Sequence, residues 1–180
     1  MAELTLSAAS LTVRAMGLRD LAAYKSLRDA MLAAHPESFT SDAATERARS
    51  AESYAERLGL DGVDRGRFLL GAWRSGRLFG AIGCERDERP KVRHIVRVVG
   101  LMVVADGRRM GVGRALLARC RERAAGVEGV EMVTLSVTAC NRAALALYES
   151  AGFTMCGTLQ RAIRLQDGTT FDKCHMVLAL

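Results

Sequence analysis

Val98 to Ala125 reads VVGLMVVADGRRMGVGRALLARCRERAA. Its opening run, Val98 to Val104, is apolar and rich in β-branched side chains, which predicts a buried strand. Ala105-Asp106-Gly107-Arg108-Arg109 is a polar loop that ends it. Met110-Gly111-Val112-Gly113 then opens a helix, with Val112, Leu116, Leu117 and Cys120 recurring at helical spacing. Strand, glycine-rich turn and helix start make an anion cradle. The first turn of a helix leaves backbone N–H groups without intrahelical acceptors and carries the positive end of the dipole. Missing side chains at Gly111 and Gly113 let a ligand approach that backbone, and Arg108, Arg109 and Arg114 add positive charge around it. Such a turn suits a phosphate-bearing cofactor.

Two common phosphate loops do not fit. A Walker loop needs Gly, four residues, then Gly-Lys-Ser/Thr, and this stretch has none. A dinucleotide fingerprint needs Gly or Ala where Leu116 stands, and usually opens its domain rather than lying past the midpoint. The spacing present is Arg108-x-x-Gly111-x-Gly113. It resembles the Arg/Gln-x-x-Gly-x-Gly/Ala motif of the GNAT superfamily of N-acetyltransferases, in which loop and helix hold the pyrophosphate of acetyl-CoA. A second stretch, Asn141 to Phe153, is similar to that superfamily's Asn-x-x-Ala-x-x-Leu-Tyr-x-x-x-Gly-Phe motif at every fixed position. The resemblance extends over nearly all of Leu11 to Leu180. It takes in His35-Pro36-Glu37 after the first helix and the closing Ala162 to Met176, with its Asp167-Gly168 turn and Asp172. Two motifs in the right order specify the superfamily and not the substrate.

The whole chain is compatible with that resemblance. Its 180 residues predict a single domain over 11–180, preceded by an N-terminal extension at 1–10. Hydrophobic content of 49% with 26% charged residues belongs to a globular protein with a full core. No apolar run approaches membrane-spanning length, and MAELTLSAAS lacks the basic start and apolar centre of a signal peptide. The five cysteines are scattered, no pair has metal-ligand spacing, and the three histidines are dispersed. A cytoplasmic protein without a metal is expected, with Cys120 and Cys140 as small core residues. The formal charge of +6 calls for an anionic partner. The arginines do not form one run and few aromatics interleave with them, so nucleic acid is not expected. CoA, with its phosphates, suffices.

The periodicities predict a first strand over Leu11–Arg14 and a helix from an Asp20 cap to about Ala34. A weaker helix is predicted over Thr45–Leu58, and a hairpin over Phe68–Trp73 and Leu78–Gly83. After the cofactor helix come a strand at Met132–Val137 and a helix capped by Asn141 and stopped by Gly152. Two closing strands, Thr154–Leu165 and Thr170–Leu178, are joined at Asp167-Gly168. One βαβ crossover within this order gives an α/β sandwich. The resemblance implies more: a mixed, mostly antiparallel central sheet flanked by helices on both faces. It also implies acetyl-CoA contacts from Leu101, Met102, Val103, Arg108, Arg109, Met110, Gly111, Val112, Gly113, Arg114, Asn141 and Tyr148.

Acetyl transfer to an amine needs a neutral nucleophile, a polarised thioester carbonyl and a proton for the departing thiolate. Tyr148 lies seven positions after Asn141, so both project from about the same helix face. A phenol there can donate a proton as a general acid, or simply pack at a helix end. By resemblance it sits beside the CoA sulfur. Asn141 would orient the pantetheine arm or cap its helix. The carbonyl is expected against a backbone N–H of Leu101-Met102-Val103, where the family's strand splays from its neighbour. Related ribosomal-protein alanine acetyltransferases carry a glutamate five residues before the motif's Asn, and here that position is Ser136. Serine is no base at neutral pH, which leaves Glu85 or His94 as substitutes, or no base at all. An α-amine of pKa near ~7.8 is roughly a quarter neutral at pH 7.4, whereas a lysine near ~10.4 is neutral about one time in a thousand. Direct acetyl transfer to a small-molecule or peptide α-amine, by a monomer or homodimer, is therefore the expected activity. A non-catalytic acyl-CoA sensor and a protein-lysine acetyltransferase are the alternatives.

Overall fold

The computed structural model describes residues 10–60 and 65–180. The extension expected at 1–10 falls, apart from Ser10, outside the described residues. Seven strands are described: β1 (Thr12–Ala15), β2 (Phe68–Arg74), β3 (Arg77–Arg86), β4 (Ile95–Val103), β5 (Met132–Thr138), β6 (Thr154–Arg164) and β7 (Thr170–Ala179). They form one sheet in the order β1-β2-β3-β4-β5-β7-β6. The helices are α1 (Leu21–Ala34), α2 (Ala43–Ala48), α3 (Val112–Ala125) and α4 (Arg142–Ser150). The fold is thus the expected α/β one, a mostly antiparallel sheet with helices on both faces. Only β4 and β5 pair in parallel among the described residues, because α3 must carry the chain back over the sheet between them.

Each face has its own core. On one side α3 lays Val112, Leu116, Leu117, Cys120 and Ala124 against the sheet, joined by Leu145 and Tyr148 of α4. Full burial of a leucine stabilises the fold by roughly 1.5–3 kcal/mol, so this stripe fixes the helix that carries the glycine turn. On the other side Leu21, Tyr24 and Leu27 of α1 meet Leu69, Ala81 and Met102. No described helix is long and apolar enough to cross a membrane.

Three local expectations need correction. The helix predicted over Thr45–Leu58 is divided: α2 ends at Ala48, Arg49 and Ser50 are extended, and a 3₁₀ helix runs Ala51–Leu58. Tertiary bonds override propensity there. Glu46 accepts from the buried Arg28 Nε at 2.6 Å and from Tyr54 Oη at 2.8 Å, drawing both segments onto α1. Asp20 does not cap α1 with its side chain. Its oxygens are taken by Arg14, at 2.7 and 2.9 Å, and by the Gly17 N–H. That guanidinium holds the Asp20 carboxyl at about 2. Cys120 is buried, but Cys140 is exposed, because it sits in the turn between β5 and α4 rather than on a core-facing position.

Candidate active site

The site begins with a parting of two strands. β4 and β5 are in register only at Ile95↔Met132, Val96↔Val133 and Arg97↔Thr134. Beyond that point β4 bends. Val99 pairs with Gly83 and Met102 with Ala81, so Gly100 and Leu101 together stand opposite Ile82. Gly100 has φ +59°, the left-handed conformation that lets a bulge form without a Cβ penalty. The bulge turns Val98–Val103 away from β5 and leaves that edge of β4 unpaired.

The opening is a cleft of about 1260 Å³. Val98–Leu101 and Val103 form one wall, and Ser136, Val137, Cys140–Ala144, Leu147 and Tyr148 the other. Gly107–Arg109 and Gly111–Arg114 close one end. Gly111 has φ +76° and precedes α3, whose first backbone bond runs from Ala115 N to Gly111 O at 2.9 Å. The N–H groups of Val112, Gly113 and Arg114 therefore have no intrahelical acceptor. A Cβ on Gly113 would come within 3.3 Å of Leu147 Cδ2, so this part of the cleft fits a bare backbone and little more. Arg108 is held by His35 at 2.7 Å across the mouth.

Tyr148 projects from α4 into the wall, 7% exposed, with its ring edge-on to Phe153 at 5.9 Å. Burial, reinforced by the nearby Cys120, raises the phenol above its ordinary pKa. It stays protonated throughout the neutral range. Asn141 Oδ1 accepts from Ala144 N at 3.1 Å, which makes it the cap of α4.

Most of the residues expected from sequence come together here. Leu101, Val103, Arg108, Arg109, Gly111, Val112, Gly113, Arg114, Asn141 and Tyr148 all line the cleft. Met102 and Met110 do not. The Met102 side chain is buried in the α1 core, and Met110 is 47% exposed outside the lining. Of the two substitute bases, Glu85 lines the cleft, ion-paired to Arg97 at 2.8 Å, whereas His94 does not line it. His94 sits before β4, with its carbonyl accepting from Glu131 and Met132 N–H. Sequence reasoning missed the other side of the cleft: Arg28, His35, Glu37–Ser41, Arg57, Arg97 and Lys173. The alternation Lys173-Cys174-His175-Met176 carried a signal, since buried Cys174 and Met176 put Lys173 on the opposite face.

A sequence model of the acetyltransferase (GNAT) family matches residues 24–153, which include both motifs. The chain belongs to that family. Solved structures share the GNAT fold. An acetyltransferase of the GNAT family from Streptococcus pneumoniae superposes with a TM-score of 0.85 at 23% identity, covering 95% of this chain and 100% of that one. The ribosomal-protein-alanine N-acetyltransferase of Brucella melitensis gives 0.76 at 24% identity, covering 94% and 99%. The yncA protein of Salmonella typhimurium, solved with its cofactor acetyl-CoA, gives 0.76 at 20% identity, covering 95% and 94%. Among curated proteins, the UPF0157 protein YqkA of Bacillus subtilis is 34% identical over 94 residues, 52% of this chain and 25% of that protein. The chain thus matches only about a quarter of that relative's length.

Proposed function

We propose that this protein transfers the acetyl group of acetyl-CoA directly to a primary amine. One observation carries the proposal: the parting of β4 from β5 runs into the free N–H groups of α3 at one end and past the buried Tyr148 phenol on its wall. A pyrophosphate is matched by those N–H groups together with Arg108, Arg109 and Arg114. The unpaired edge at Leu101–Val103 offers backbone donors to the thioester carbonyl, where negative charge develops as the amine attacks. In the transfer the amine lone pair forms the C–N bond, the C–S bond breaks, Tyr148 gives its proton to the leaving thiolate, and the proton shed by the acylated nitrogen passes through water to restore the phenol. Cys140 lines the cleft, but none of the described residues pairs with it as a base, so direct transfer is preferred to an acyl-enzyme. Residues 11–180 act as one catalytic unit in the cytoplasm, whose reducing conditions suit five free cysteines.

The acceptor is a small-molecule or peptide amine of low pKa. Ser136 stands on β5 where ribosomal-protein alanine acetyltransferases carry a glutamate, and Glu85 is engaged by Arg97. A substrate that is already partly neutral in solution needs no enzyme base. The test is acetyl-transfer, read by thiol release, across a broad amine panel, alongside calorimetry with acetyl-CoA. Acetyl-CoA binding with acetylation of at least one α-amine is expected. No binding of acetyl-CoA would refute the assignment. The same Ser136 favours a second reading, an acyl-CoA sensor, which predicts tight binding and no turnover with any amine.

A further inference from the structure

The face of the sheet opposite Tyr148 carries an arrangement that acetyl transfer alone does not require. Val133, Leu135 and Val137 belong to the core under α3 and α4, so Thr134, Ser136 and Thr138 point to the other face. Cross-strand partners share a face. Arg97 is in register with Thr134 and with Glu85, Lys173 with Thr138, and His175 with Ser136. The floor that runs through Thr134, Ser136 and Thr138, with His175 opposite Ser136, is therefore flanked by two cations, Arg97 of β4 opposite Thr134 and Lys173 of β7 opposite Thr138. Both line the cleft, and Arg57 joins them from the 3₁₀ helix.

These cations differ in how far they are neutralised. Arg28, deeper in the same wall, is committed to Glu46 and Ser41. Arg97 holds Glu85, which offsets one charge. Arg57 donates to the Tyr24 hydroxyl at 3.2 Å and lies over the Tyr54 ring, neither of which cancels its charge. Lys173 is half-buried, and no carboxylate among the described residues pairs with it. Burial, and then the approach of Arg97, lower its pKa, as expected for two cations left facing each other in a partly closed space. An unpaired, partly desolvated cation is costly unless a ligand supplies the counter-charge. Glu37 is the other carboxylate in the lining, and its Oε1 lies 3.6 Å from His35 Nδ1.

Resting on acetyl transfer at this cleft, we infer that the amine acceptor carries a carboxylate, which Lys173 binds together with Arg97 and which places the amine over Ser136. Lys173 is a specificity-determining residue in this scheme, and the acceptor is a short peptide or other low-pKa amine that bears a carboxylate, rather than a polyamine or an amine without an acid group. The same placement explains how a site without a carboxylate base orients its nucleophile. An ionic anchor at one end of a short acceptor fixes the position of the amine at the other.

The experiment compares matched acceptors, short peptides and α- and ω-amino acids with their amides, for acetyl transfer and for calorimetric binding to the CoA-bound protein. Rates are referred to the neutral fraction of each amine, because amidation lowers the amine's own pKa. At least one acid is expected to be preferred over its amide by tenfold or more in kcat/KM, or in affinity where turnover is too slow to measure. Lys173→Gln should erase that preference through KM, with little change in kcat, while Lys173→Arg keeps most of it because the charge survives. A Lys173 acting instead as a base would lose kcat in Lys173→Arg. Amides equal to or better than every acid, no acid that binds or reacts, or a preference untouched in Lys173→Gln would each overturn the inference. Acetyl-CoA affinity and turnover across the wider amine panel, measured in the same samples, separate this from failure of the acetyl-transfer proposal: loss of that affinity in the unmodified protein, or binding with no acetylation of any amine, strikes the latter.

Discussion

The two sides of the cleft are built on different principles. On the proposed cofactor side one continuous stretch, Gly107 to Arg114, supplies backbone N–H groups, three glycines and three arginines. On the acceptor side the chemistry comes from side chains on separate elements: Arg28 on α1, Arg57 on the 3₁₀ helix, Glu85 on β3, Arg97 on β4 and Lys173 on β7. Backbone recognition tolerates little change in sequence, because a ligand held on main-chain N–H groups needs the backbone bare and its turn conformation kept. Side-chain recognition can be altered one residue at a time without disturbing the sheet beneath. One fold can thus keep a common donor while varying its acceptor.

The largest effect that tests this division is on stability. Arg28 and Glu46 form a buried ion pair, with side chains 4% and 8% exposed, that holds α2 and the 3₁₀ helix on α1. Removing one partner of such a pair costs about 3–5 kcal/mol. Glu46→Gln should therefore lower the thermal midpoint by on the order of 10 °C, while the folded variant keeps its affinity for acetyl-CoA. A parallel loss of that affinity would show the two sides to be one unit. The pair also predicts acid lability. Burial alone would raise the Glu46 pKa, but the bonds from Arg28 and Tyr54 outweigh it and bring it from 4.5 to about 2. Its stabilisation is complete above the unfolded value of 4.5 and is lost as pH falls toward about 2. Asp20, also held at about 2, adds to the same limb. Denaturant titrations between those pH values should show a shallower acid limb in Glu46→Gln.

Next in size is Tyr148→Phe, which keeps the ring against Phe153 and removes only the hydroxyl. General acid–base groups contribute on the order of 10²–10⁴-fold, and the lower half applies because a CoA thiolate is a fairly good leaving group. Turnover should fall by that factor with acetyl-CoA affinity nearly unchanged. Equal losses in rate and affinity would make Tyr148 a packing residue. Gly111→Val comes third. A Cβ there meets nothing within 4 Å, so the effect is conformational: φ +76° is strained for valine. The left-handed conformation costs a branched residue about 1–2 kcal/mol or more. Calorimetry should show acetyl-CoA bound at least tenfold more weakly, and an unchanged affinity in a folded variant would remove the cradle from the site.

That asymmetry also decides what could be read from the sequence. The strand, turn and helix of Val98–Ala125 were legible because their determinants are local: an apolar run, Gly111 and Gly113, and a stripe of Val112, Leu116, Leu117 and Cys120. The Asn141 cap was legible for the same reason. The broken helix at Arg49–Ser50 and the diversion of Asp20 to Arg14 were not, since each depends on a partner from another segment. Lys173 lay outside any motif. Its alternation with Cys174 carries the face it takes, but only the strand order, with β7 inserted between β5 and β6, brings it opposite Thr138, on the face that Ser136 shares.

The smallest effect concerns the proton on the acceptor, where the two sides meet. Ser136 offers no base, His94 lies outside the cleft, and Glu85 is bound to Arg97. Under the proposed mechanism the amine reaches the thioester already neutral, so its own ionisation in solution sets the rate below its pKa. An α-amine with pKa near ~7.8 should outperform a lysine side chain near ~10.4 at neutral pH. Two accepted amines that differ in pKa by one unit should give pH–rate curves of the same shape displaced by about one unit. The position of each curve is then expected to follow the substrate's own pKa. A single break shared by both substrates would mean that the enzyme supplies the base after all. If the break disappears in Glu85→Gln, the carboxylate is released from Arg97 during catalysis. If instead it disappears in Lys173→Arg and persists in Glu85→Gln, the lowered pKa of Lys173 serves proton removal, and the acceptor side does chemistry as well as recognition.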